Sequence, residues 1–386
     1  MTRTRSILAL AGVLTVVAGM TGCGGGGEDA AATSTAPVDL SSAPPEVQEA
    51  AKVAAERGLE FMADHDEIVQ CAKDEGAVTI QTSSDDFEEF KTAFEAEYPE
   101  ITADFVVLSG AARERFLLEA ESGAGPNYDV GYPAPEVYTE VVEMLGYDLQ
   151  GMAESGVLDI PVETIDPNNH SVASAGASGV ALAYNRDLIS EDELPTSWEE
   201  LAEPRFGRDQ LGMAMDVDLN NLSILTVDPE WGVDGVVELG EKMSRLQPVF
   251  TDSHTAATLL VQNGEVAISP FVFTQSAVRE VDKRPDGPLQ VAFIEPVPVS
   301  ISESSGVFRD AEHPCAALLY IEWTNSDTAQ RIYDKAPLQA SFAWEGSRLR
   351  EMVGDRETVI AGPGQIAELP AAISKIQAAF GFPTAP

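Results

Sequence analysis

Chemistry in this chain of 386 residues rests mainly on oxygen donors. It has 64 aspartates and glutamates but only four histidines and three cysteines. Three stretches gather hydroxyls and carboxylates where helices begin: Thr82 to Asp86 with Ser83, Ser84 and Asp85; Asp216 to Asn220 with Asp218; and Thr251 to His254. Short oxygen-bearing side chains cap the free N–H groups of a first helical turn. Taken singly, Asp85, Asp216 and His254 read as such caps or first-turn residues. None of the histidines, His65, His170, His254 and His313, sits in an H-E-x-x-H pair, and no G-x-S-x-G elbow or G-x-x-x-x-G-K-[ST] loop occurs. Carboxylates are so abundant that counting excludes no acid/base pair. Cys71 and Cys315 read either as a disulfide or as two buried thiols; there is no C-x-x-C and no zinc-ligand spacing.

The net charge of -41 argues against nucleic acid, which needs a basic footprint, and disfavours adhesion to an anionic membrane surface. The charge is spread along the chain, and a hydrophobic content of 44% is ordinary for a globular protein. Salt would screen so much self-repulsion, which hints at a saline habitat. At the N-terminus, Arg3 and Arg5 precede the apolar stretch Ile7 to Ala18, which is too short for a permanent membrane span. Met20-Thr21-Gly22-Cys23 follows and resembles a bacterial lipobox, with Met20 in place of the usual Leu. That resemblance implies a signal peptide over residues 1–22 and lipidation of Cys23; the alternative is a plain secretory signal. Residues 23–45 read as a flexible tether of roughly 25 Å root-mean-square span.

Residues 44–73 read as helical, with Val47, Ala50, Ala51, Ala54 and Ala55 on one face and Gly76 at the end. Residues 46–65 are taken as an N-terminal helical extension. From Val78 the order is strand, helix through Phe87, Phe90, Phe94 and Tyr98, strand from Ile101 to Leu108, helix opened by Ser109-Gly110, and strand from Tyr128 to Tyr132. This β-α-β-α-β order marks a parallel sheet with crossover helices. Val180 to Tyr184 is an apolar run entered through Gly176 and Gly179, predicting a strand buried on both faces. Such a strand is either a spine shared by two lobes or an ordinary core strand. A second α/β unit follows to about residue 295, then the proline-rich extended stretch from Glu295 to Ser302, an apolar helix from Cys315 to Trp323 and a last helix from Leu369 to Phe380.

Several stretches, in this order and spacing, resemble the type II extracellular solute-binding proteins of ABC importers, in their ferric-iron-type branch. They are Val78 to Thr82 with its following helix, Ser109 to Gly123, Tyr128-Asp129-Val130, Ala181 to Asp187, Leu194 to Leu201, Pro204 to Arg208, Thr251 to Ala256, Asn263-Gly264-Glu265 and His313 to Leu318. The resemblance spans about residues 66–383. It implies an α/β, periplasmic-binding-protein-like type II fold with two lobes joined by a hinge of crossover strands. Lobe one would take residues 66–175 and 303–386, and lobe two residues 176–302. A ligand would sit between the lobes, which close over it.

Family positions carry over one at a time. The iron-ligand positions fall on Asp85, near Ala134 with Glu136 two residues on, and on Thr274-Gln275 where the family has paired tyrosines. The helper-anion position falls on Asp216 to Asn220, and a family asparagine falls near His254. Two carboxylates at a helix start compete with an anion for backbone N–H groups. The resemblance therefore implies a cation as ligand, ferric iron or another, with an organic amine as alternative. Tyr132, Phe271 and Phe273 would supply aromatic faces. The site is expected at Ser83, Ser84, Asp85, Ser109, Gly110, Tyr132, Asp216, Asp218, Asn220, His254, Phe273, Thr274 and Gln275, with Asp85 as metal ligand. The chain then reads as a monomeric lipoprotein on the extracytoplasmic face of the cell membrane, handing solute to a permease and ATPase. It reads as a binder without enzyme activity or cofactor; a surface receptor or an enzyme on the same fold is the alternative.

Overall fold

The computed structural model describes residues 40–82, 87–122, 128–207, 210–215, 217–335 and 338–382. The lipobox with Cys23, most of the tether, and Ser83, Ser84, Asp85 and Asp216 lie outside the described residues. Ten strands occur among the described residues, in chain order β1 (Ala77–Thr82), β2 (Thr102–Val107), β3 (Val130–Gly131), β4 (Ala173–Asn185), β5 (Gly212–Ala214), β6 (Val249–Thr251), β7 (Ile268–Phe273), β8 (Leu289–Ala292), β9 (Val297–Val307) and β10 (Thr358–Ala361).

Crossover helices Glu88–Glu97 and Ala111–Glu121 make the first strands parallel, β1 pairing with both β2 and β3. Two long antiparallel strands then join the halves of the molecule. All thirteen residues of β4 are buried, and it pairs with β9 from Ala173↔Ser305 to Gly179↔Val299. One end of β9 pairs with β3 and the other with β10, while the far end of β4 pairs with β7 and β8. β5 and β6 form a small parallel pair alongside β7. The apolar run at Val180 is thus part of the shared spine, longer at its N-terminal end than the apolar residues alone suggest.

Each half has its own apolar core. Ile68, Val78, Phe94, Ile101, Leu318 and Trp323 centre the first; Trp198, Met213, Leu239, Met243 and Phe271 centre the second. In the first, Trp323 stands edge-on to both Phe90 and Phe94. The α-helices Glu88–Glu97 and Pro314–Thr324 owe their contact to the aromatic spacing read from the sequence.

Two expectations about the elements need correction. Residues 44–73 are two helices, Pro45–Arg57 and His65–Glu75. Gly58, at φ +71, ends the first, and Asp64 opens the second by accepting a hydrogen bond from the Glu67 N–H at 3.0 Å. The tail, assigned with lobe one, contributes Val359, Leu369, Ile376 and Phe380 to the second core. The reason is a close approach of two helices: a Cβ on Gly240 would lie 3.2 Å from the Phe380 ring and 3.4 Å from Ala379 Cβ. Helix Gly232–Ser244 therefore receives helix Pro370–Ala379. The neighbouring helix Pro363–Glu368 rests on residues of the first half, with Gly364 set against Asp166 and Tyr138. The tail thus straps one half to the other.

The Sγ atoms of Cys71 and Cys315 are bonded, joining helix His65–Glu75 to helix Pro314–Thr324. Glu75 accepts from the backbone N–H groups of Cys315 and Ala316, at 3.2 and 2.8 Å, and so caps the second helix. With both sulfurs bonded and Glu75 engaged, this trio is a structural joint and not a metal centre.

Candidate functional site

The spine strands carry the floor of a cavity of about 470 Å³ between the two halves. Ser178 on β4 and residues 300–304 on β9 form that floor. One wall is Tyr132 to Glu136 following β3; the other is Asn220, Asn221, Ile224 and Phe273. The tail closes the rim with Pro363, Ile366, Leu369 and Ile373. Its size suits a small organic molecule.

Two charged side chains line this cavity, Glu136 and Glu303, and no Lys, Arg or His does so among the described residues. Glu136 is exposed and accepts from Arg113 at 2.9 Å. Glu303 differs. It accepts no hydrogen bond and pairs with no cation among the described residues, and burial pushes its carboxyl above the ordinary value. Its backbone sits at φ +53, a left-handed conformation that interrupts the alternation of β9. A Cβ on Gly176 would lie 2.8 Å from Glu303 Cγ, so the glycine in β4 makes room for the glutamate stem. A smaller recess of about 30 Å³ adjoins the cavity and shares Tyr132, Glu303 and Ser304 with it. Phe87, Tyr320 and Tyr333 also line this recess. Burial first, and the Glu303 charge second, hold the phenols of Tyr320 and Tyr333 well above their ordinary value. At neutral pH both are protonated.

Of the residues expected at the site, Tyr132, Asn220 and Phe273 line the cavity. Asp218 does not. It is fully buried, accepts from the Ala214 N–H at 2.7 Å, and lies 2.8 Å from Nδ1 of His254. Burial raises its carboxyl against the pull of both partners. His254, turned edge-on to Phe273, is part of the same buried pair. A helix-start aspartate here ties its own helix to the preceding strand and does not line the cleft. Thr274 is buried beneath Gly179, and Gln275 donates to Ser178 Oγ at 3.1 Å. Phe271 stacks on Trp198 in the second core, with ring centres 4.8 Å apart, so it offers no face to a ligand. Ser109 and Gly110 are exposed at the start of helix Ala111–Glu121 and line neither cavity.

Sequence reasoning missed Glu303 and the serines around it. The signal was present: Ser300-Ile-Ser-Glu-Ser-Ser places one charge in an otherwise small, uncharged stretch of strand. A charge inside a shared strand is costly without a purpose.

The family model for bacterial extracellular solute-binding proteins matches residues 150–343, half of the chain. This chain belongs to that family. Solved structures share its two-lobe fold. Iron-bound HitA from Pseudomonas aeruginosa has a TM-score of 0.55 at 17% identity, over 78% of this chain and 99% of that one. Trichodesmium IdiA (FutA), in complex with iron and citrate, has 0.59 at 16% identity, over 80% and 100%. Ferric iron-binding protein A of Mannheimia haemolytica, in an open conformation, has 0.60 at 14% identity, over 79% and 98%. At these identities the likeness is one of fold. No curated protein matches the sequence. The solute-binding family implies an extracytoplasmic location, and no helix among the described residues is long and apolar enough to cross a membrane.

Proposed function

We propose that this solute-binding protein is the lipid-anchored capture component of an ABC importer, taking a small cation between its lobes and delivering it to a membrane permease. The observation that carries the reading is the charge of the cavity: its lining holds carboxylates and no basic side chain among the described residues. An oxyanion would meet Glu303, which no described residue neutralises, and would find no basic partner among the described residues there. The fold likeness to iron-binding proteins supports ferric iron as one cation to test. The positions carried over from the iron ligands weigh against tyrosinate binding, because Thr274 and Gln275 have no phenol and are buried inside the protein.

The test is a thermal-shift panel on chelator-treated protein with ferric citrate, amines, amino acids, phosphate and methylphosphonate. A cation at ~100 times its dissociation constant is expected to add ~2.7 kcal/mol, a shift of a few degrees. A saturable shift with phosphate or methylphosphonate, and none with any cation, overturns the reading.

A further inference from the structure

The cleft has an unequal pair of compartments. The larger presents apolar surface from Ile224, Phe273 and Ile366. The smaller is a recess of about 30 Å³. Its wall combines the rings of Phe87, Tyr132, Tyr320 and Tyr333 with the carboxylate of Glu303, which has no partner among the described residues. Aromatic faces and one negative charge attract an organic ammonium. They suit ferric iron poorly, because a hard trivalent ion seeks several anionic oxygens. Among the described residues only Glu303 supplies one here, the neighbouring phenols of Tyr320 and Tyr333 being protonated.

Resting on the reading that the cleft takes a cation, we propose that its ligand is a primary alkylammonium compound. The –NH3+ group is seated in the recess against Glu303, and the carbon body lies along Ile224, Phe273 and Ile366. Three properties follow from this geometry. The head group is selected by hydrogen bonding, since an –NH3+ donates to the Glu303 carboxylate and a trimethylammonium has no N–H to donate. The charge is recognised by one residue. The body is recognised by apolar contact and tolerates changes of length.

The experiment is calorimetric titration of the purified protein with n-hexylamine, hexyltrimethylammonium, ferric citrate and methylphosphonate, for the natural sequence and for Glu303→Gln. Expected are saturable binding of n-hexylamine, at least tenfold weaker binding of hexyltrimethylammonium, and at least a tenfold loss of n-hexylamine affinity in E303Q. The head-group comparison needs no variant and stands even if E303Q does not fold. Absence of n-hexylamine binding overturns the proposal, as does equal affinity for the two head groups or unchanged affinity in folded E303Q. Binding of ferric citrate alone overturns the amine and leaves the cation reading intact; binding of methylphosphonate alone overturns both.

Discussion

Glu303 concentrates three costs in one residue: a left-handed backbone, a half-buried carboxylate, and no partner among the described residues to offset either. Such costs persist where a ligand later recovers them. They also predict a pH signature in the free protein. The folded-state pKa of Glu303 is raised above 4.5, so between 4.5 and that raised value the native state holds more protons than the unfolded chain. Its contribution to stability therefore falls as pH rises through this window. Replacing it by Gln removes the charge. E303Q is expected to be more stable than the natural protein at pH 7, by an amount on the order of 1 kcal/mol. The difference should shrink below pH 4.5. Urea unfolding of both proteins at pH 4 and pH 7 measures it, and a difference that does not depend on pH contradicts the assignment. Asp218 shows the contrast. It is also buried and raised, but His254 and the Ala214 N–H meet it, so its place is in the scaffold.

At the scale of elements, strands β4 and β9 do two jobs. They join the halves, and they carry the cavity floor, so the site is built on the part of the fold that both halves share. The first half is further tied by the Cys71–Cys315 bond between two helices 244 residues apart in sequence. Closing a loop of that length restricts the unfolded chain. The Cys71→Ser, Cys315→Ser double variant is expected to lose about 2–5 kcal/mol. Denaturant unfolding with and without reductant checks this. Reductant should lower the midpoint of the natural protein towards that of the variant and leave the variant unchanged. The tail helices act as a second tie, one resting on Asp166 and Tyr138, the other on the helix containing Gly240.

For the whole molecule, the net charge of -41 is screened over about 10 Å at 0.1 M salt, so it sets solubility and self-repulsion and not the choice of ligand. Ligand choice belongs to groups within the cleft. Retention at the membrane belongs to Cys23, in the proposed lipoprotein. Cys23→Ser is expected to move the protein from the membrane fraction to the soluble extracytoplasmic fraction, with binding of cations unchanged. Fractionation and immunoblotting read the outcome; a variant that stays in the membrane and is processed normally refutes the anchor.

The sequence by itself determined the fold class, because that information is local and repeated. Phe87, Phe90 and Phe94 recur at helical spacing, Val180 to Tyr184 form an apolar run, and alternating strands and helices leave few ways to bury both. The family resemblance read from it also pointed to Tyr132, Asn220 and Phe273, three of the expected residues that line the cavity. Only the tertiary structure decided which way Asp218 turns, because a helix-start aspartate looks the same in sequence whether it meets a ligand or a buried histidine. It alone placed the tail on the second core, since an apolar helix states that it must be buried but not against what. And it alone singled out Glu303 among 64 acidic residues, because a cavity wall that holds a carboxylate with no countercharge among the described residues is a property of the neighbours that the fold assembles around a residue.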